Sequence, residues 1–148
     1  MKLANSILFS VFINEGEDQQ AIAEKLKSLV PLDLENEKIQ INTQTAIGFN
    51  EKKIKILELQ ILKDRHINPT LELLNEKLGS AQKELLLRQK DSRLDANLNF
   101  FIRLDKPKLL NGEYWITDNG NCFHIKINIA AFPRNRDTTF SIIGQIFA

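Results

Sequence analysis

Hydrophobic positions along the chain follow two periods, and their alternation predicts the elements. From Leu3 to Asn14 the period is close to two, with Leu3, Ile7, Phe9, Val11 and Ile13 sharing one parity, as in a strand with one buried face. Glu15-Gly16 ends that strand. Asp18 then stands as the N-cap of a helix to about Leu29, with Ile22, Ala23, Leu26 and Leu29 on one face and Pro31 closing it. Lys38 to Ile47 alternates again: Ile39, Ile41, Thr43, Thr45 and Ile47 point one way, Lys38, Gln40, Asn42 and Gln44 the other. A turn at Gly48-Phe49-Asn50 leads to a third strand, Lys53 to Leu62, paired with the second as a hairpin. Its phase shifts between Ile56 and Leu57, the mark of a bulge or of a helical segment.

The middle of the chain changes to the helical period. Asn68-Pro69-Thr70 has the form of an N-cap followed by proline in the first turn, and Leu71, Leu74 and Leu78 follow at helical spacing. Gly79 ends this helix, and a second runs from about Ser80 to Gln89. Leu98 to Leu104 is a strand, with Leu98, Phe100, Ile102 and Leu104 opposite Asn99, Phe101 and Arg103. Asp105 to Gly112 is a polar loop or short helix. Cys122 to Ala131 is the clearest strand, Phe123, Ile125, Ile127 and Ile129 alternating with His124, Lys126 and Asn128. Pro133 to Arg136 is a basic loop, and Asp137 caps a final helix carrying Phe140, Ile143 and Phe147. The order β-α-β-β-α-α-β-β-α predicts an α+β, two-layer sandwich: a mostly antiparallel sheet with helices packed on one face. Its other face would present Lys38, Gln40, Asn42, Phe101, Arg103, His124, Lys126 and Asn128, a polar and mildly basic surface. Any half-exposed sheet shows polar residues on its wet side, so this pattern alone names no ligand.

Composition narrows the class. With 148 residues, 43% hydrophobic and 26% charged, the chain fits one domain, residues 1–148, too apolar to be disordered. One cysteine excludes an internal disulfide framework and a thiolate metal cluster, and two histidines leave little for a histidine metal site. No apolar run is long enough for a membrane span, and residues 1–12 lack a signal peptide's apolar stretch, so the expectation is a cytoplasmic protein. Net charge is only +1, but residues 88–136 hold 9 basic against 5 acidic side chains. A basic second half is a weak pointer to nucleic acid.

Catalytic patterns are sparse. Neither the phosphate-binding nor the dinucleotide glycine motif occurs, and no serine nucleophile elbow is present. Cys122 and His124, two apart on a strand, share a face, but a small buried cysteine is the simpler reading. His66 reads as a surface loop residue. Asp91, Asp95, Asp105 and Asp118 have no spacing that would gather them around Mg²⁺. Three basic groups remain: Arg103 with Lys106 at a strand exit, Arg134 with Arg136 ahead of a helix, and Lys52, Lys53 and Lys55 near the hairpin.

The segment Phe101-Ile102-Arg103-Leu104-Asp105-Lys106, with Gly112 after it, resembles an archaeal family described as predicted RNA-binding proteins or predicted exosome subunits, whose members carry Arg-x-Asp-Lys at this place. The opening, Ser10-Val11-Phe12 and then Glu17-Asp18 starting a helix, fits too, as does the final strand, arginine loop and helix. The chain departs from the family at Pro107, where a polar residue is usual, and at Gly48-Phe49-Asn50-Glu51, in place of a Gly-His-x-Gly-Asn turn. The resemblance implies a fold like that of the ribosomal protein that contacts 5S ribosomal RNA. It also implies an RNA-binding protein, not an enzyme and without a cofactor, that serves as an accessory of RNA processing or decay alongside exosome proteins. Phosphates would meet Arg103, Lys106, Arg134 and Arg136, with Lys126 in support, and Phe101 would stack a base. Asp105 would orient Arg103 or Lys106. The competing reading is a protein–protein module, with an exposed strand edge pairing two copies as a homodimer or docking a partner. An enzyme acting on a small molecule would need the loop aspartates gathered around a pocket.

Overall fold

The central strand, β1 (Ala4–Ile13), pairs antiparallel on both sides, with β3 (Lys53–Ile61) and with β5 (Cys122–Ile129). The computed structural model describes residues 1–148, the side chain of Phe49 excepted. Outside these strands lie β2 (Ile41–Ile47), paired with β3, and β4 (Asn99–Asp105), paired with β5. The sheet is five-stranded, in the order β2-β3-β1-β5-β4, and antiparallel throughout. Helices α1 (Gln19–Ser28), α2 (Asp64–Lys77), α3 (Ser80–Arg88) and α5 (Arg136–Ile146) join a short α4 (Lys106–Leu110). The α+β sandwich read from the alternation is therefore the fold.

The core lies between the helices and one face of the sheet. Ile7, Phe9 and Val11 of β1, Phe100 and Ile102 of β4, and Phe123, Ile125 and Ile127 of β5 are buried there. Opposite them are Ile22 and Leu26 of α1, Ile67 and Leu71 of α2, and Ile143 of α5. The rings of Phe100 and Phe147 meet with centroids 6.1 Å apart. Each such apolar side chain contributes roughly 1.5–3 kcal/mol on full burial, so one packed face suffices to hold the sheet.

Several elements differ from the sequence reading, each for a physical reason. A register shift between Ala4 and Ser6 buries Ala4 fully, while Leu3 is half-buried against the same core. β3 has neither bulge nor helical segment: its pairing is continuous, and Ile54 and Ile56 point to the uncovered face. Residues 33–39 form turns closed by Glu37 N–H to the Asp33 carbonyl and Ile39 N–H to the Leu34 carbonyl, so Lys38 and Gln40 precede β2. α2 starts at Asp64 and takes in Pro69. Ile67 is buried and His66 reaches Glu37, 3.0 Å from its Nε2, and these contacts outweigh the local Asn-Pro signal. His66 is thus a core residue, not a surface one. α5 is capped by Asn135, whose side chain accepts from Thr138 N–H at 2.8 Å, and Asp137 lies inside the helix. Asp105 caps α4 by accepting from Lys108 N–H at 3.1 Å and orients neither basic neighbour. After the Asn111 cap, α4 is terminated by Gly112, whose φ of +86° only glycine adopts freely, with Glu113 N–H returning to the Lys108 carbonyl at 2.9 Å.

Lys106 departs furthest from expectation. Its side chain is 2% exposed and its Nζ donates to the Phe12 carbonyl at 2.6 Å and to Glu17 at 3.1 Å. The ammonium therefore ties the start of α4 to the end of β1 and to the turn before α1. A buried charge holds its place only when paired and hydrogen-bonded. Partial burial raises the Glu17 carboxyl, but the Asn14 N–H and Lys106 outweigh it and leave Glu17 below its ordinary pKa. Glu17→Ala, which strands the ammonium, is expected to cost about 3–5 kcal/mol by chemical denaturation. The double variant with Lys106→Met should lose less than the sum of the two single changes. Because the folded pKa of Glu17 is depressed below its ordinary 4.5, its contribution is full well above that value and is lost as pH falls through the lower folded value. A stability profile of Glu17→Ala that keeps the wild-type acid slope would contradict this.

Candidate nucleic-acid interface

The helices leave the second face of the sheet open, and strand register fixes what it presents. Across β5 and β4, Lys126 stands opposite Phe101 and His124 opposite Arg103. Facing side chains in antiparallel pairs are about 4.5–5.5 Å apart at Cβ, so these four form a block of alternating rings and cations. On the β1 side, Leu8 opposes Lys126 and Ser10 opposes His124. Phe12 meets His124 edge to face, ring centroids 6.1 Å apart, and Ile56 continues the apolar strip from β3. Phe101 is 38% and Phe12 42% exposed, large values for phenylalanine on a sheet. The same face also carries Asn42, Glu58 and Asn128.

Charge on this face is fixed rather than titrating near neutrality. Burial pulls the His124 imidazole below its ordinary pKa, and the Arg103 guanidinium adds to the effect. At pH 7 the ring is therefore neutral and serves as an aromatic surface. Burial raises the Cys122 thiol, the opposite of an activated thiolate.

The outer edge of β4 is covered by two segments. Phe101 N–H donates to the Arg93 carbonyl at 2.9 Å, and Asp105 N–H to the Trp115 carbonyl at 2.8 Å. Thr117 N–H in turn donates to the Arg103 carbonyl at 3.0 Å. These segments bring Arg93 and Asp118 beside Phe101 and Arg103, around a cleft of about 450 Å³ that also includes Gln89 and Ser92.

Of the residues read as a site from the sequence, Phe101, Arg103 and Lys126 come together on the open face. Lys106 does not: its ammonium is sealed against Glu17 and is unavailable to an external phosphate. Arg134 is exposed in the loop before α5. Arg136, the first residue of α5, donates to the carbonyl and carboxylate of Asp91, each at 2.9 Å, and lies over the Phe140 ring. Its guanidinium holds the 91–94 turn to α5 and stands apart from the open face. The four loop aspartates are also dispersed. Asp91 binds Arg136, Asp95 closes the turn before β4, Asp105 caps α4 and Asp118 lies by Arg103. Among the described residues, no group of three or more His, Cys, Asp or Glu side chains is placed to hold a metal ion. Among the described residues, no helix is long and apolar enough to cross a membrane.

Phe12, Ile56 and Arg93 were missed. The first two carry a readable signal, apolar residues on the parity opposite to the core. Arg93 belongs to the basic excess of residues 88–136, but only the fold sets it beside β4.

Comparison with solved structures bears on the fold, and comparison with sequences and family models on the family. Protein AF2318 from Archaeoglobus fulgidus has a crystal structure that superposes with a TM-score of 0.85 at 24% identity, covering 98% of this chain and 99% of that one. Mth689 from Methanothermobacter thermautotrophicus gives a TM-score of 0.80 at 24% identity, covering 99% and 100%. In sequence, RNA-binding protein PAB1135 of Pyrococcus abyssi is 24% identical over 142 residues, spanning 96% of this chain and 92% of that protein. A family model described as RNA binding matches residues 6–129, from β1 through β5. The chain belongs to this RNA-binding family.

Proposed function

We propose that the protein binds single-stranded RNA on the uncovered face of its sheet. The observation that carries the reading is the block Phe101, Lys126, Arg103 and His124, edged by Phe12, on strands whose opposite face is sealed by helices. Exposed rings supply sequence-tolerant stacking surfaces for unpaired bases, and interleaved cations neutralise the phosphates between them. The name of the Pyrococcus relative and the description of the family support the same chemistry. The further role, a non-enzymatic accessory of RNA processing or decay beside exosome proteins, rests on the resemblance that Phe101 to Lys106 carries.

A second reading has its own observation. β2 is an edge strand paired only with β3, and its sequence INTQTAI has no charge, proline or bulge to discourage pairing. A partner strand, including β2 of a second copy, fits there. Sedimentation separates the two readings: a stable dimer that Thr43→Lys with Thr45→Lys dissociates, in a protein that retains no RNA, would favour this one.

For the RNA reading, fluorescence anisotropy with a labelled single-stranded RNA at about 50 and 200 mM salt is the direct test. Affinity should fall with salt, and Lys126→Ala should reduce the log–log slope by about 0.7, the value for one phosphate on a single strand. Phe101→Ala should cost about 1–3 kcal/mol, the value of one stacked base. Absence of binding at the lower salt would refute the proposal. Because the His124 pKa is depressed, affinity should stay flat from pH 7 to 8, with a gain only as acid protonates the ring. A drop in affinity between pH 7 and 8 would show that a charged His124 takes part.

A further inference from the structure

The open face is not the whole of the charged surface: the cleft at the covered edge of β4 holds a second arginine. Arg93 is only 10% exposed, and its guanidinium is fixed by Gln89, whose Oε1 accepts from Nε at 3.0 Å and from Nη2 at 2.6 Å. Nη1 donates to the Phe101 carbonyl at 3.4 Å. A guanidinium has five N–H groups, so these three contacts leave one free on each terminal nitrogen, and phosphate oxygens accept from such donors. Arg103 enters the same cleft and donates from Nη1 to the Asp118 carbonyl at 3.1 Å. One carboxylate lies beside Arg93. Asp118 lies 3.7 Å from Arg93, beyond hydrogen-bond length, with its side chain 93% exposed. Burial pulls the Arg93 pKa down, Asp118 pulls it back, and Arg103 depresses it again, so the two cations sense each other. A weakly held, solvated carboxylate leaves the pair short of one anion.

We propose that this cleft is a nucleotide subsite, in which Arg93 and Arg103 clamp one phosphate of the bound strand, Asp118 swings out, and the attached base lies on Phe101. Its volume, about 450 Å³, falls within the roughly 300–1,000 Å³ usual for small-ligand sites. The inference extends the RNA reading around the edge of the sheet. It assigns Gln89 as the positioning residue for Arg93 and Asp118 as a carboxylate that competes with the phosphate.

Two variants and one small probe test it. In the anisotropy assay, Arg93→Gln should weaken RNA binding about tenfold, the loss expected for a charge-assisted pair of hydrogen bonds. Asp118→Asn should tighten it about threefold at low salt, because it removes a like charge from the phosphate site. If Arg93→Gln does not fold, Asp118→Asn alone decides, and an unchanged or weakened affinity overturns the proposal. Separately, uridine 5′-monophosphate at millimolar concentration should shift the Arg93 Nε–H resonance in the wild-type protein, whereas uridine should not. Both variants binding like wild type, while Phe101→Ala loses affinity, would remove the cleft and leave the open-face reading intact. A shift with the mononucleotide in a protein that binds no longer RNA would keep the cleft and remove the face. No shift and no RNA binding would remove both.

Discussion

The sheet depends on the two-sidedness of β1. As the middle strand it pairs with β3 and β5, so its alternation is imposed on both neighbours through register. Ile7, Phe9 and Val11 commit one side to the helices, and Leu8, Ser10 and Phe12 then fall on the other. A slip of one residue would exchange the two sets along the whole strand. The Lys106 ammonium guards the far end of this arrangement by bonding the Phe12 carbonyl, the last open-face position of β1. The place of Phe12 against His124 thus rests on an ion pair that holds the carbonyl of Phe12 itself.

What was legible in the sequence, and what was not, divides by the range of the interactions concerned. Strand and helix order follow from short-range periodicity, which is why β4, β5 and the faces of Phe101, Arg103 and Lys126 could be read directly. Lys106 was not legible. A lysine after an aspartate at a strand exit looks solvated, and its partner Glu17 stands in another part of the chain. His66 failed for the same reason, since its partner Glu37 stands 29 residues away in the chain. Ile54 and Ile56 misled differently. Their hydrophobicity suggested burial, so the strand seemed to change phase, whereas they form part of an apolar strip on the open side. Arg136 shows the converse error, a basic residue in a loop whose charge is engaged within the molecule by Asp91.

The open face combines rigidity with modest charge. Its side chains stand on paired strands, so their spacing is set by the backbone before any ligand arrives. That preorganisation lowers the ordering cost of binding. Few cations are involved, and the chain carries a net charge of only +1. Affinity on such a surface depends on rings as much as on phosphates, which separates it from strongly basic binders whose contacts are chiefly electrostatic.

The two edges of the sheet are unequal. β4 is capped along its length by the segments at Arg93 and Trp115 to Thr117, while β2 is bare. Association through strands is therefore self-terminating. Two molecules joined at β2 would form a ten-stranded sheet with β4 outermost on both sides, and a third would find no edge to extend. A sheet protein with two bare edges can polymerise without limit; closing one converts the same chemistry into a closed pair.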